Sequence, residues 1–350
     1  MVQHNLYSNE NNVPNVLGAG LLCLDIIKNI ENTKYLNGGS CGNVVSALSF
    51  LGWRSSIITN QYKDPAGDIL NQNLERLRVR RIEVGRPIQT PRIVQEVINS
   101  DHRYLLSCPD CGRKLPSIEP LTEKTVENIA ESSNHYNVYY TDRTSRGIEF
   151  LRNILRNRGT WTVYEPNSSR NINSLLRSSL ESHIVKFSGE KVSQSLADKI
   201  REIAINGSTT LIVRTMGKDG VLFCYRKRDN KMSKWFQLES QPVTDFVDSS
   251  GAGDWCTTGL LFNLVNRHRK SKLWLTRDEV VAALQYGQAL SAISCSFSGA
   301  LGLIYSDNGE KIQTIVNEDT QFRLSGLKPS LPPKKLSDEY CKTCLLPFEH

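Results

Sequence analysis

Residues 138–225 alternate short apolar runs with longer amphipathic stretches, and few architectures accept that alternation. The runs at 138–140, 161–164, 184–187 and 211–214 are too short for helices and rich in β-branched and aromatic residues, whereas 148–155 and 193–205 repeat apolar residues at helical spacing. Parallel neighbours need a crossover of about a dozen residues, usually a helix. The alternation therefore predicts an α/β fold whose central sheet is mainly parallel and covered by helices. The turn Thr215-Met216-Gly217-Lys218-Asp219-Gly220 then sends the chain back as a further strand over 221–225.

The first half adds three features. An apolar run at 16–22 reads as a buried strand with Asp25 at its end, where ligand groups gather on a parallel sheet. Its Gly18/Gly20 pair begins like a dinucleotide fingerprint, but Cys23 stands where the third glycine belongs, which argues against such a site. A glycine-rich turn at 36–43, containing Gly38, Gly39 and Asn43, runs into residues with helical spacing. Asn43 has both a donor and an acceptor and could read a pair of sugar hydroxyls, or simply cap a helix. Finally, apolar runs at 93–98 and 103–106 flank Asn99-Ser100-Asp101-His102 with no helix between, the pattern of an inserted antiparallel hairpin. Such a hairpin could be a small β lid that keeps water from a site on the main sheet, or a plain surface feature.

At 350 residues and 39% hydrophobic composition, the chain can bury one large core with a smaller appendage. No apolar run has the length of a membrane span, and residues 1–15 lack the order of a secretory signal, so a cytoplasmic location is expected. The net charge of +7 is spread along the chain and suits polyanionic substrates such as nucleotides. Its densest basic clusters, 76–81 and 267–270, lack interleaved aromatics, which favours solvated surface over nucleic-acid binding.

The string Asp248-Ser249-Ser250-Gly251-Ala252-Gly253-Asp254 opens an apolar helix running through Trp255, Leu260, Leu261 and Val265. Gly251 and Gly253 let the backbone approach an anion, and the helix aims unpaired N–H groups at it. Asp254, at the positive end of that helix, can accept a proton from a hydroxyl brought beside the anion. The combination points to phosphoryl transfer to an alcohol, although a helix start with an ordinary first-turn Asp would use the same residues.

With Gly38-Gly39 and Asn43 early, Thr215, Gly217 and Gly220 later, and the 248–254 string after them, the chain resembles the ribokinase-like, or PfkB, family of carbohydrate and nucleoside kinases over roughly residues 14–310. The resemblance implies a three-layer ribokinase-like fold with a small β lid at about 86–107, followed by a tail over 311–350. It also implies ATP-dependent phosphorylation of a hydroxyl on a sugar or nucleoside. Asp254 would be the base, and the N–H groups of Gly251, Ala252 and Gly253 the anion hole. Asp25, Gly38, Gly39 and Asn43 would hold the acceptor, while Lys186, Glu190, Thr215, Gly217 and Gly220 would border the nucleotide. Mg²⁺ would bridge the phosphates, and a monovalent cation would sit near Asp248 and Gly299, as in some relatives. The hairpin could pair with its copy in a homodimer or merely cover the site.

Two stretches depart from the family pattern. Where relatives often carry Asn-x-x-Glu, this chain has Ser188 in place of Asn and Glu190 one position early. Glu165-Pro166-Asn167 with Arg170 resembles the family's Asp-Pro-Asn segment with Glu substituted. The altered Glu190 region motivates a second reading, a catalytically silent sugar- or nucleotide-binding sensor or partner-binding subunit. Asp254 argues against it, because a binding module has no need of a base there.

The nine cysteines of a cytoplasmic chain are thiols or metal ligands before they are disulfides. Cys108-Pro109-Asp110-Cys111 and Cys341-Lys342-Thr343-Cys344 supply two thiolate pairs, enough for one tetrahedral structural Zn²⁺ that would pin the C-terminal tail to the end of the lid. Redox dithiols and unligated thiols are the alternatives. Cys23, Cys41, Cys224, Cys256 and Cys295 lie in or beside apolar segments and read as core or site-lining residues.

Overall fold

The computed structural model describes residues 13–28, 33–98, 101–132, 135–243, 245–305 and 339–348. A large sheet contains β1 (Asn15–Gly18), β4 (Arg54–Tyr62), β5 (Val79–Ile88), β8 (Val138–Thr141), β9 (Trp161–Tyr164), β10 (Ile184–Ser188), β11 (Leu211–Thr215), β12 (Val221–Tyr225) and β13 (Phe236–Leu238). Their spatial order is β13-β12-β11-β10-β9-β8-β1-β4-β5. All neighbours from β11 to β5 are parallel, while β12 and β13 are antiparallel additions at one edge.

Successive residues of a strand face opposite sides, and here both sides are apolar. Val16, Val138, Tyr140, Ile184, Leu211 and Val213 join one core, shared with α1 (Ser40–Phe50), α2 (Pro65–Arg76), α7 (Ala252–Arg267) and α8 (Arg277–Ser294). Leu17 and Tyr139 face α3 (Glu123–Glu131) and α4 (Arg146–Asn157) on the other side. Val185 and Ile212 face α5 (Ile172–Leu180) and α6 (Gln194–Ala204). Most helix starts are written locally. Asp64, Thr122, Ser145, Asn171, Ser193 and Thr276 each accept a backbone N–H from the first turn that follows. The expected three-layer ribokinase-like fold, with a mainly parallel sheet, is thus borne out. No helix among the described residues is long and apolar enough to cross a membrane.

The small sheet differs from the sequence reading. It has four strands, ordered β3-β2-β6-β7, with β2 (Cys23–Lys28), β3 (Thr33–Gly38), β6 (Arg92–Ile98) and β7 (Asp101–Leu105). The hairpin of β6 and β7 matches the two apolar runs, but residues up to Ile88 belong to β5, β2 begins just after the run expected over 16–22, and β3 takes in Leu36, Asn37 and Gly38 of the stretch read as a glycine-rich turn. The strand expected over 16–22 stops at Gly18, and the Leu21 N–H is taken by the Asp142 side chain at 2.8 Å. Asp25 consequently sits on the second strand of the small sheet and not at the end of β1. The hairpin tip at Asn99 and Ser100, and the Pro-, Lys- and Ser-rich stretch from 325 to 338, lie outside the described residues.

Candidate active site

Gly251 caps α7 with φ 74°, in the left-handed region. A Cβ there would also stand 2.6 Å from the Ala300 Cα, so the position excludes a side chain twice over. The Ala252 N–H turns back onto the Ser249 carbonyl at 3.1 Å, whereas the N–H groups of Gly251 and Gly253 find no acceptor among the described residues. Asp248 fixes the loop from below, its two oxygens accepting the N–H groups of Ser250 at 2.8 Å and Gly299 at 2.7 Å. Gly253 is different from Gly251. Only the Lys186 Nζ, at 3.8 Å, comes near where its Cβ would be. Gly251→Ala should therefore lose at least about 1–2 kcal/mol from its left-handed backbone alone, measured by denaturant unfolding. Gly253→Ala should unfold like wild type and bind anions more weakly, because its methyl would fill the space in front of the free N–H.

Asp254 is buried one residue later. Burial pushes its carboxyl up to about 7, and Glu165 pushes the same way, while the Asn43 amide and Lys186 pull against them. The Asn43 Nδ2 donates to the Asp254 Oδ2 at 2.7 Å. The remaining oxygen of the Asn43 amide is buried without a partner. Glu165, from the loop after β9, accepts from Lys186 Nζ at 2.6 Å, Thr257 Oγ1 at 2.7 Å and the Tyr140 hydroxyl at 3.1 Å. Glu165 was legible only as an altered acceptor segment; its place beside Asp254 follows from β8, β10 and α7 meeting around it.

The folded chain holds a proton on Asp254 up to about 7, against an unfolded value of about 3.9. Between those values the folded state binds more protons, so this group's contribution is complete below the lower one and is lost as pH rises through the upper. Asp254→Asn should thus gain thermal stability relative to wild type between about pH 4 and pH 8; paired melting curves across that range check it.

The small sheet brings the remaining candidates over this loop. Asp25 is half-buried under Gly38, whose absent Cβ would lie 2.0 Å from the carboxylate. Burial raises Asp25 to about 6, against the hydrogen bond from the Cys23 thiol. Gln95 on β6 donates to the Ser250 Oγ at 3.3 Å, and Tyr104 on β7 reaches the same serine. Tyr104 was read only as part of a hairpin strand, because nothing in a strand's alternation tells which cleft it overhangs. Gly39 opens α1 at φ 83°. On the other side of α7, the 215–220 turn closes through a Met216 N–H to Gly220 carbonyl bond at 2.8 Å, with Gly217 and Gly220 at positive φ. Glu190 is exposed beside it, and the Gly189 N–H bonds the Thr215 carbonyl at 2.8 Å.

Residues 147–304 match the model of the pfkB family carbohydrate kinases. The resemblance to the PfkB kinases holds. The matched stretch carries the 215–220 turn and the start of α7; Gly38, Gly39 and Asn43 lie before it. Comparison with curated protein sequences gives no match. Among solved structures, the aminoimidazole riboside kinase from Salmonella enterica, complexed with aminoimidazole riboside and an ATP analog, superposes with TM-score 0.62 at 18% identity, covering 87% of this chain and 100% of that one. The fructokinase from Vibrio cholerae O395, in a form with fructose, ADP and calcium ion bound, gives 0.62 at 18% identity, covering 83% and 95%. The ribokinase from Giardia lamblia gives 0.65 at 13%, covering 82% and 94%. At these identities the similarity is one of fold.

Outside the part that matches the PfkB model, the four cysteines of the two Cys-x-x-Cys pairs converge, their sulfurs all within 4.8 Å of one another. The two segments have the same backbone geometry. Cys108 and Cys341 each donate an N–H to the carbonyl five residues on, and Gly112 and Leu345, both at positive φ, each donate back to the first cysteine. Arg92 joins this unit to the body, donating to the Cys344 carbonyl at 2.8 Å and pairing with Asp64 at the start of α2. The Tyr35 hydroxyl on β3 holds the Lys342 carbonyl at 2.6 Å, and Lys28 on β2 pairs with Asp110.

Proposed function

We propose that this chain transfers the γ-phosphoryl group of ATP to a hydroxyl of a sugar or nucleoside. The observation that carries the reading is the start of α7: two unengaged glycine N–H groups followed at once by a buried carboxylate poised near neutrality. The names of the structural neighbours, kinases of ribosides and sugars, agree with it.

In this reading the acceptor lies between Asp25, Gly38, Gly39 and Asn43, with its hydroxyl against Asp254. As the new P–O bond forms, the bond from the γ-phosphorus to the bridging oxygen breaks. ADP leaves with that oxygen, and the hydroxyl proton passes to the Asp254 carboxylate. Transfer is loose, so placement and charge neutralisation matter more than base strength. The N–H groups of Gly251 and Gly253 face the developing charge, with Ala252 shaping the turn between them. Thr215, Gly217 and Gly220 border the nucleotide. Mg²⁺ would supply charge neutralisation at the phosphates, with exposed Glu190, beside the 215–220 turn, as a carboxylate that could hold it.

The base must be ionised to act, so kcat/KM should rise with pH through about 7 and level off above it. Asp254→Asn should lower turnover by about 10²–10⁴-fold without loss of fold. Coupled ADP-release assays against a panel of sugars and nucleosides check both; an Asn variant as active as wild type defeats the assignment.

The cysteine cluster is proposed to hold one structural zinc. Tetrahedral Zn–S bonds of about 2.3 Å set the sulfurs about 3.8 Å apart. The Cys108–Cys341 and Cys111–Cys344 separations are 3.8 and 3.6 Å, far beyond a disulfide bond of about 2.05 Å. Four thiolates leave no open position for chemistry. Purified protein should contain one zinc per chain, and Cys344→Ser should lose the metal and melt several degrees lower; metal analysis and calorimetry decide it.

A further inference from the structure

We infer that a cavity at the C-terminal edge of the large sheet takes the base of a nucleoside substrate, with Asn60 and Arg143 reading the edge of that base. This rests on the kinase reading above and names the substrate class within it.

In the large sheet, β4 and β5 lie on one side of β1, and β8 to β13 lie on the other. Open α/β sheets hold ligands in the crevice beyond the strand ends at such a reversal. Here Gly20 follows β1 and Arg143 follows β8, and both line a cavity of about 90 Å³. The loop that carries Gly20 also touches the glycine turn at the start of α1. The Leu21 carbonyl accepts the Gly42 N–H at 3.1 Å, and a Cβ on Gly39 would stand 2.4 Å from that oxygen. A sugar held at Gly38, Gly39 and Asn43 would thus have the cavity as its neighbour.

The cavity walls are largely apolar, with Ile58, Pro120, Leu121 and Ile148 among them. A free sugar has hydroxyls all round and would leave some of them unpaired against such walls. The two charged residues of the lining are both matched, Arg143 by Asp142 at 3.0 Å and Glu119 by Arg86 at 3.3 Å. An anionic group would therefore meet no surplus positive charge. A flat, neutral ring with polar atoms at its edge suits the space.

Two side chains can meet that edge. Asn60 is only 8% exposed, and its amide has no hydrogen-bond partner among the described residues. It stands at an irregularity in the pairing of β4 with β5, the kind of bulge that re-aims side chains beside ligand sites. Arg143 spends Nη1 on the carbonyl and carboxylate of Asp142, and its Nε and Nη2 have no partner among the described residues. The hydroxyls of Thr59, Thr144 and Ser145 are already engaged within the protein. An amide and a guanidinium offer the donors and acceptor with which Asn and Arg read base edges.

The test uses the full chain, with calorimetric binding of adenosine, guanosine, inosine, cytidine and uridine, and ADP release with each of them and with free ribose. Both are repeated in Asn60→Leu and in Arg143→Lys, which keeps the charge beside Asp142 but not the fork of donors. At least one nucleoside should bind, and ribose should be a poorer substrate in kcat/KM by about tenfold or more. Each variant should lose about tenfold in nucleoside affinity, the scale of one lost base-edge pair. The loss should appear in KM more than in kcat, and ADP affinity should stay within about twofold of wild type, which shows that the fold is kept. A chain that binds none of the five nucleosides, or that phosphorylates ribose as well as any of them, overturns the inference and leaves the kinase reading intact. Folded variants with wild-type nucleoside affinity also overturn it. A wild-type chain that binds a nucleoside, loses it in the variants and transfers no phosphoryl group supports the cavity assignment and overturns the kinase reading.

Discussion

Everything at this site depends on keeping a carboxylate buried beside another carboxylate. Asp254 and Glu165 repel each other in a space that burial has already made hostile to charge, and the protein answers with three partners: Asn43 on one, Lys186 on the other, and the positive end of α7 over both. The result is an acid near neutrality instead of one fully ionised. In the proposed reaction such a group would take a proton easily and give it back easily, as a base in a loose phosphoryl transfer needs. The same arrangement stores unfavourable energy at neutral pH.

The second constraint is mechanical. The small sheet reaches the active loop through Gln95 and Tyr104 at Ser250, and it reaches the body through the cysteine cluster at its other end. Arg92 connects the two systems: it lies on β6, grips the C-terminal cysteine turn and pairs with the aspartate that starts α2. The C-terminal segment is thus part of how the small sheet is held, although the sequence places it 233 residues from its partner cysteines. A metal held there would act on the anchoring of this sheet.

Much of this was legible because its signals are local. The strand over 161–164 and the return strand over 221–225 coincide with β9 and β12, since each is a short apolar run closed by turn residues. The glycine string ahead of Asp254 marks a helix start by backbone geometry that other residues cannot adopt, and Gly251 is left-handed as that requires. Where reading failed, the missing information was tertiary. The run from 16 to 22 reads as one buried strand, but the strand stops at Gly18, Asp142, 121 residues away, takes the Leu21 N–H, and a second strand opens at Cys23 in the other sheet.

The sequence by itself determined the α/β layering, the left-handed glycine turn that opens a helix ahead of a carboxylate, and the set of four cysteines, because periodicity, glycine placement and ligand count are properties of the chain alone. Only the tertiary structure decided that Asn43 turns to Asp254, that Glu165 and Lys186 form the floor beneath Gly253, and that Asp25 rides on the small sheet. These depend on which buried charges find each other. Electrostatic pairing in a core is fixed by distances between strands far apart in sequence, and no local pattern encodes those distances.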